Sequence, residues 1–157
     1  MSRRRIWLRR LVWLALGGVA LFAIVQLVPY GSWTHTNPPV TAEPRWSSPQ
    51  TRALAVTACF DCHSNLTRWP WYSSVAPVSW LVQRDVDGGR AALNFSEWNR
   101  PQDGAGDAVE AARSGSMPPW FYPLMHPKAS LSNADQQRLI AGLAATLRSS
   151  PPPGGAG

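Results

Sequence analysis

The pattern of hydrophobic and polar positions predicts helices along most of the chain. The clearest apolar stripe at helical spacing lies near the C-terminus, at Leu139, Ile140, Leu143, Ala144 and Leu147. It follows Ser132-Asn-Ala-Asp135, a sequence of the capping-box type that marks a helix start. No stretch alternates apolar and polar residues for long enough to predict a strand. The pattern therefore predicts an all-α fold class.

Three shorter helices are predicted upstream of this one. The first begins at Ser48, an N-cap followed by proline, and runs through TRALAVTAC so that Cys59 lies near its end. The second starts at Ser79 in SWLVQRDVDGGRAAL. The third is DAVEAARS, residues 107–114, which Gly115 ends.

The N-terminal apolar run, residues 11–28, predicts a transmembrane anchor. It contains one strongly polar residue, Gln26, and is near the lower limit of length for a membrane-spanning helix. Arginines precede it and the next basic residue is Arg45, so the positive-inside rule predicts a cytoplasmic basic segment at 1–10. A cleaved signal peptide has the same charged and apolar regions. The length of the run and the lack of a small-x-small site in VPYGSW favour an uncleaved anchor in a bacterial inner membrane, with the remaining chain in the periplasm.

The net charge of +6 is concentrated in that basic segment. Five of the fifteen basic residues precede position 11, and the remaining ten stand against nine acids, which leaves a difference of 10 − 9 = +1. A nucleic-acid interface needs a basic face that neutralises phosphates. The sequence therefore predicts no nucleic-acid partner.

Composition divides the rest of the chain into three parts. Residues 29–47 hold four prolines and predict a Pro-rich spacer that lifts a domain off the membrane. Residues 149–157, SSPPPGGAG, predict a disordered tail. Residues 48–148 remain as one small helical domain.

The only two cysteines lie in ACFDCHS, residues 58–64, and three kinds of site compete for them. A redox dithiol of the thioredoxin type needs its cysteines at a helix start next to strands, and neither is predicted here. A structural zinc site needs four ligands, and the three histidines of the chain are widely separated in sequence. A covalent haem needs two thiols for its vinyl groups and an adjacent histidine for its iron.

The haem alternative agrees best with the motif. It assigns Cys59 and Cys62 to the two thioether bonds of one haem c, and His63 to the iron as proximal ligand. The predicted export agrees with it, since c-type haem is attached outside the cytoplasm. We expect His63 to donate its other ring N–H to a backbone carbonyl, with the carbonyl of Pro70 as a candidate.

The second iron ligand has several candidates, of which Met117 comes first. Met117 lies in SGSMPPW, where two prolines make a stiff segment that loses little entropy on ligation. His126 would instead give a bis-histidine haem of lower potential. Met125 and His35 are weaker candidates, and an iron without a second protein ligand or a purely structural Met117 remains an alternative.

Aromatic residues and two arginines near these segments have a functional and a structural interpretation. The aromatic residues are Trp69, Trp71, Tyr72 and Trp80 after the cysteine motif, and Trp120, Phe121 and Tyr122 after the methionine. They would surround the porphyrin or simply fill a core. Arg68 and Arg90 would pair with haem propionates or lie solvated on the surface.

Two longer stretches resemble one known family. The run CFDCHSNLTRWPWYSSVAPVSWLVQRDVDGGRAALNFSEW, followed by SMPPWFYPLMHPKASLS, resembles the bacterial haem-binding domain family of cytochrome-c-like proteins, and HTNPPV upstream is also similar to it. The resemblance covers residues 34–145. It implies a cytochrome-c-like fold, a c-type haem on Cys59 and Cys62, His63 as axial ligand and Met117 in the segment that presents a second ligand. It implies no particular reaction.

Together these observations predict a membrane-anchored periplasmic monohaem cytochrome that carries single electrons between membrane-associated or periplasmic redox proteins. A filled sixth iron position favours electron transfer over catalysis. The alternatives are a peroxidase-like enzyme or a haem-based redox or gas sensor, each with an open or exchangeable sixth position. A peroxidase would need a distal histidine or arginine over the iron. A sensor would need an output segment, for which the ten residues before the anchor are expected to be too few.

Overall fold

The computed structural model describes residues 3–33 and 35–154, and within these ranges it contains helices and no strand. The α-helices are α1 Arg3–Val25, α2 Pro49–Ala58, α3 Phe60–His63, α4 Val78–Ala92, α5 Ala108–Ser114, α6 Tyr122–Met125 and α7 Asn133–Ser149. Two single 3₁₀ turns, Trp71–Ser74 and Pro127–Ala129, lie between them. The predicted all-α fold class is confirmed.

Helix α1 is long and apolar enough to cross a membrane. It has 23 residues, its most apolar window has a mean hydropathy of 1.9, and none of it is buried. The helix begins at Arg3, earlier than the predicted apolar run at 11, because arginine is a good helix former and continues the helix toward the N-terminus. It ends at Val25, just before Gln26.

The local signals at the helix ends act as predicted. Ser48 Oγ accepts the N–H of Thr51 at 3.0 Å at the start of α2. Ser132 Oγ accepts the N–H of Asp135 at 3.1 Å and donates to its carboxylate at 2.8 Å, which caps α7. Gly115 ends α5 with a φ of 74°, a left-handed conformation that glycine adopts without strain.

The chain divides into two compact units, and the first consists of the chain up to His35 together with Trp69–Arg84. The side-chain amide of Gln26 exchanges two hydrogen bonds with the backbone of Ala76, both at 2.9 Å. The imidazole of His35 stacks on the ring of Trp69, with centroids 4.4 Å apart. Trp69, Trp71, Tyr72 and Trp80, predicted to surround a porphyrin or fill a core, all belong to this unit.

The second unit consists of Thr36–Arg68 and the chain from Asp85 onward, and it holds the main hydrophobic core. The buried residues of the core are Ala55, Ala58, Phe60, Leu93, Phe95, Trp98, Ala105, Ala112, Leu139, Ile140 and Leu143. Helices α2 and α7 pack closely, since a Cβ at Gly142 would collide with the side chain of Thr51. The stripe predicted on α7 supplies three members of the core.

Residues 36–47, most of the predicted spacer, form no helix and are bonded to other parts of the second unit. The N–H groups of Thr41 and Ala42 both donate to the carbonyl of Ser96, and Trp98 donates its N–H to Ala42 at 2.9 Å. The prolines keep this stretch from forming a helix but leave its carbonyls and other N–H groups free to pair. The predicted domain boundaries stay predictions. Residues 1–2 of the basic segment and 155–157 of the predicted tail lie outside the described residues.

Candidate functional site

The two cysteines and His63 lie on a single helical turn. Cys59 is the residue between α2 and α3, as the predicted position near a helix end requires. Its carbonyl accepts the N–H of Cys62 at 3.2 Å and of His63 at 2.9 Å, so the motif is wound into a turn. Spacings of three and four residues put side chains on the same face of a helix. Cys59 therefore lies on the side of the turn that it shares with Cys62, three residues on, and with His63, four residues on.

Both thiols are free and partly buried. Burial raises the pKa of Cys59 to about 12, and the Cys62 thiol adds to the effect. Burial, followed by the carboxylates of Asp85 and Asp61, raises the pKa of Cys62 to about 12. The attacking thiol of a redox dithiol instead has a pKa lowered by its surroundings. The environment therefore disfavours the redox alternative.

His63 is held by the last turn of α4. Its Nδ1 lies 3.0 Å from the carbonyl oxygens of both Gly89 and Leu93, so this nitrogen carries the hydrogen and donates it. The second ring nitrogen, Nε2, then keeps a lone pair for a metal. Burial lowers the pKa of His63, and the hydrogen bonds to the two carbonyls oppose this more weakly. The imidazole is thus neutral and oriented, the state in which histidine binds iron.

The predicted acceptor for this histidine, the carbonyl of Pro70, is wrong. That carbonyl accepts the N–H of Ser73 at 2.9 Å and the hydroxyl of the same residue at 2.6 Å. The carbonyl of Leu93 is available because it lies just beyond the end of α4, where carbonyls lack partners within the helix. The negative end of the helix dipole also favours an N–H donor there.

Gly89 allows α4 to approach the motif. A Cβ at this position would collide with the carbonyl oxygen of Cys62, and it would lie 2.9 Å from the carbonyl carbon. Only a residue without a side chain brings the two backbones this close. Sequence reasoning did not assign Gly89 to the site, although a glycine pair within a predicted helix is a signal of close packing.

Arg90 is partly exposed, and its guanidinium is bonded to protein groups around the motif. Its guanidinium donates to the carbonyl of Ser64 at 2.8 Å, to the carbonyl of Thr36 and to Asn37 Oδ1 at 3.0 Å each, and to Thr67 Oγ1 at 2.9 Å. These bonds tie the HTNPPV stretch to the CHSNLT stretch, two sequences that resemble the same family. These four bonds engage the guanidinium with protein groups, which disfavours its predicted alternative as a propionate partner.

Asp61, between the two cysteines, is the centre of a second polar network. Its buried carboxylate receives two hydrogen bonds from the Arg68 guanidinium, each at 3.1 Å, and one from the Tyr122 hydroxyl at 2.8 Å. Burial and the bond to Asp61 raise the pKa of Tyr122. This network joins the cysteine motif to the segment that follows Met117. Arg68 is bonded to Asp61 while its side chain stays 63% exposed, which agrees with the solvated alternative.

The second-ligand candidates have different surroundings. Met117 is exposed, and its N–H donates to the carbonyl of Ala111 at 3.1 Å. Met125 is also exposed. The ring of His126 stacks on Tyr122 with centroids 4.1 Å apart, and its Nδ1 lies 3.3 Å from the carbonyl of that residue. His35 belongs to the first unit, where its Nε2 lies 3.0 Å from the carbonyl of Ser73.

The residues present fit a haem. In addition to the thiols and Nε2, the segment from Met117 to Met125 exposes an apolar surface that the chain itself leaves uncovered. Its large exposed side chains are Met117, Trp120, Phe121, Leu124 and Met125, between 44% and 80% accessible. Several large exposed apolar side chains within nine residues of sequence are typical of a segment that binds an apolar group. Tyr122, within the same segment, bonds to the motif, so a flat apolar group attached at the cysteines would meet this surface.

The arrangement defines a helical domain built around the Cys59–His63 motif, and a comparison with protein families identifies its class. A model of the haem-binding domain family matches residues 20–145, which is 145 − 20 + 1 = 126 of the 157 residues. The chain belongs to this haem-binding domain family, as the resemblance implied, and is a haem-binding protein. Comparisons with curated proteins and with solved structures give no match.

Proposed function

We propose that the chain is a membrane-anchored periplasmic cytochrome c that carries one covalent haem and transfers single electrons. The observation that carries the proposal is the geometry of His63. Its Nδ1 is held by two carbonyls of the α4 terminus while two thiols share its helical turn. When bound, the haem supplies an iron that takes up and releases one electron.

The residues of the motif hold and orient the group. Cys59 and Cys62 keep the porphyrin by two thioether bonds, so the domain retains it without a deep cavity. His63 presents Nε2 to the iron, and its two carbonyl contacts prevent ring rotation and increase the basicity of that nitrogen. The Asp61–Tyr122 hydrogen bond keeps the aromatic segment beside the motif.

We assign the sixth iron position to Met117, with His126 as the alternative. Met117 lies in the uncharged stretch 114–127 next to two prolines, so its loop has few conformations to lose on ligation. Stacking on Tyr122 already engages the ring of His126. A methionine ligand raises the reduction potential and closes the iron to small molecules, which suits an electron carrier.

The proposed location is the bacterial inner membrane, with α1 as the single span and the haem domain on the periplasmic side. The arginines at the N-terminal end of α1 support this orientation through the positive-inside rule. The proposed partners are other membrane-associated or periplasmic redox proteins. A tether keeps the carrier at a high effective concentration near them.

The test is optical spectroscopy of the full chain, co-expressed with a c-type maturation system and purified from membranes. We expect haem that survives denaturing electrophoresis and is lost in the Cys59→Ala, Cys62→Ala double variant. We also expect low-spin ferric iron with the weak far-red band of a methionine–iron bond. Met117→Ala should abolish this band, and Met125→Ala, a change at another exposed methionine of the same segment, should keep it.

Other outcomes would separate the alternatives. High-spin iron in the unaltered protein would contradict the assignment of Met117 and favour peroxidase-like or sensor chemistry at an open site. Low-spin iron that Met117→Ala leaves unchanged would indicate His126 as the ligand. Haem removed by denaturation would contradict covalent attachment.

A further inference from the structure

A second uncharged and aromatic stretch lies in the unit that contains α1. Residues 69–83, WPWYSSVAPVSWLVQ, include no charged side chain, and neither do residues 26–35 at the end of α1. Both stretches belong to the first compact unit. Charges begin abruptly at Arg84, followed by Asp85 and Asp87. The first half of α4 therefore differs in chemistry from its second half.

Three contacts fix this stretch to the end of α1. Gln26, the first residue after the helix, exchanges its two hydrogen bonds with the Ala76 backbone. Gly31, at a φ of +69°, packs so closely that a Cβ there would lie 2.5 Å from the carbonyl oxygen of Ser79. His35 Nε2 lies 3.0 Å from the carbonyl of Ser73. These contacts hold residues 73–79 against Gln26, Gly31 and His35, which lie 1, 6 and 10 residues past Val25, where the apolar helix ends.

Large apolar side chains on this stretch face outward. Trp71 is 79% exposed, Leu81 60% and Val78 43%, and the last two, three residues apart, share a face of α4. At the end of α1 the ring of Trp33 is also exposed, while its indole N–H donates to the carbonyl of Gln26 at 3.1 Å. Amphipathic aromatic rings of this kind concentrate at the boundary between lipid and water.

We propose that the surface formed by Trp71, Val78 and Leu81 rests in the headgroup region of the same lipid bilayer that α1 crosses. This surface is continuous with the end of an apolar helix and carries no charge. A protein partner would offer polar groups that need partners on this surface, whereas the lipid bilayer at this depth needs none, so these features favour lipid. The protein then has two membrane contacts, a spanning helix and an interfacial segment. The inference rests on the proposed anchor and needs neither bound haem nor Met117 ligation.

Site-specific photo-crosslinking in the full-length chain tests this surface. The variants Trp71→p-benzoylphenylalanine and Leu81→p-benzoylphenylalanine would be produced in bacterial cells, irradiated in isolated membranes and analysed by intact-protein mass. The control is the same change at Trp120, which is 80% exposed and lies in an uncharged stretch of the other unit. We expect lipid adducts at positions 71 and 81 that exceed those at 120 by about fivefold or more.

Three results would overturn the inference. Equal lipid labelling at positions 71, 81 and 120 would show unselective contact with lipid. A protein adduct at 71 or 81 would identify a protein-binding surface. A protein mass lacking α1 would show that the required anchor is absent. The two independent positions guard against a local disturbance at either one. Haem staining and the optical spectrum of the same samples report on the proposed function separately.

Discussion

The cysteine motif and the methionine segment belong to the same unit but differ in how completely the chain itself organises them. At the motif, the imidazole of His63 has two acceptors, its carbonyl accepts the N–H of Phe95 at 2.8 Å, and Asp61 is surrounded by donors. In the segment Met117–Met125 most large side chains are exposed, and one side chain, that of Tyr122, is bonded to the motif.

This difference indicates that the polypeptide would position the two proposed iron ligands in different ways. The proximal ligand is preorganised by backbone carbonyls, so its geometry costs little to maintain when a group binds. The methionine segment leaves large apolar side chains exposed, so under the proposed function its order would depend more on the bound cofactor. Substitutions on the two sides should therefore affect different observables, stability and haem attachment on one side and ligation on the other.

The largest effect is expected from Gly89→Ala on the preorganised side. The added methyl group would meet the Cys62 backbone, which cannot move without displacing the motif from α4. We expect a loss of about 3 kcal/mol in the free energy of unfolding. Urea denaturation of the haem-loaded chain measures it, and the yield of covalent haem should fall with it.

Gly88→Ala is the matched control for this prediction. A Cβ at Gly88 meets nothing within 4 Å, although both glycines lie in α4 and adjoin each other. Alanine is the better helix former, so this variant should gain up to about 1 kcal/mol. Equal effects of the two substitutions would contradict the close approach of α4 to the motif and reduce the contrast between the two sides.

The separation of the interacting residues along the chain determines which features of the fold and site could be predicted from sequence. The helix caps at Ser48 and Ser132 and the stop at Gly115 depend on neighbours within a few residues, so their patterns were sufficient. The family and the all-helical fold were also predictable, the first from long similar stretches and the second from periodicity. These predictions are confirmed.

The support of the site was not predictable in the same way. The acceptors of His63 are 26 and 30 residues away, and no pattern in the sequence indicates which carbonyl a folded chain brings to a ring. Tyr122 lies 61 residues from Asp61, so a phenol that is buried by tertiary packing has the same sequence signal as an exposed one. The cysteine motif itself was predicted, and its role in attaching haem stays a prediction.

The distal side is tested next by Tyr122→Phe, with a smaller expected effect. The change removes the hydroxyl that donates to Asp61 but keeps a ring able to stack on His126. We expect a loss of about 1 to 2 kcal/mol in stability, together with a weaker methionine–iron band because the segment is held less firmly.

A double-mutant cycle with Asp61→Asn separates this bond from general damage. A coupling of about 1 kcal/mol between the two positions would assign the loss to the hydrogen bond. Additive losses, or an unchanged far-red band in Tyr122→Phe, would show that Tyr122 does not link the methionine segment to the motif. The two sides would then be independent.

The smallest effect is expected at a more exposed pair that holds α2, the helix leading into the motif. Glu43 receives two hydrogen bonds of 2.7 Å from the Arg52 guanidinium, which lower the pKa of the carboxyl below 4.5. A lowered pKa means that the folded state binds this proton less readily than the unfolded chain does. The stabilisation is therefore complete above pH 4.5 and is lost as the pH falls through the folded-state value.

Glu43→Gln should accordingly cost about 0.5 to 1 kcal/mol at neutral pH, and the difference from the unaltered protein should disappear in acid. Urea midpoints of both proteins, recorded from neutral pH down to about pH 3, measure this convergence. Because the Arg52 side chain is 43% exposed, added salt should reduce the difference as well. A difference that stays constant with pH would mean that the glutamate acts through packing and the bond to Trp46, not through its charge. The contacts of Glu43 that hold α2, the helix leading into the motif, would then act without its charge.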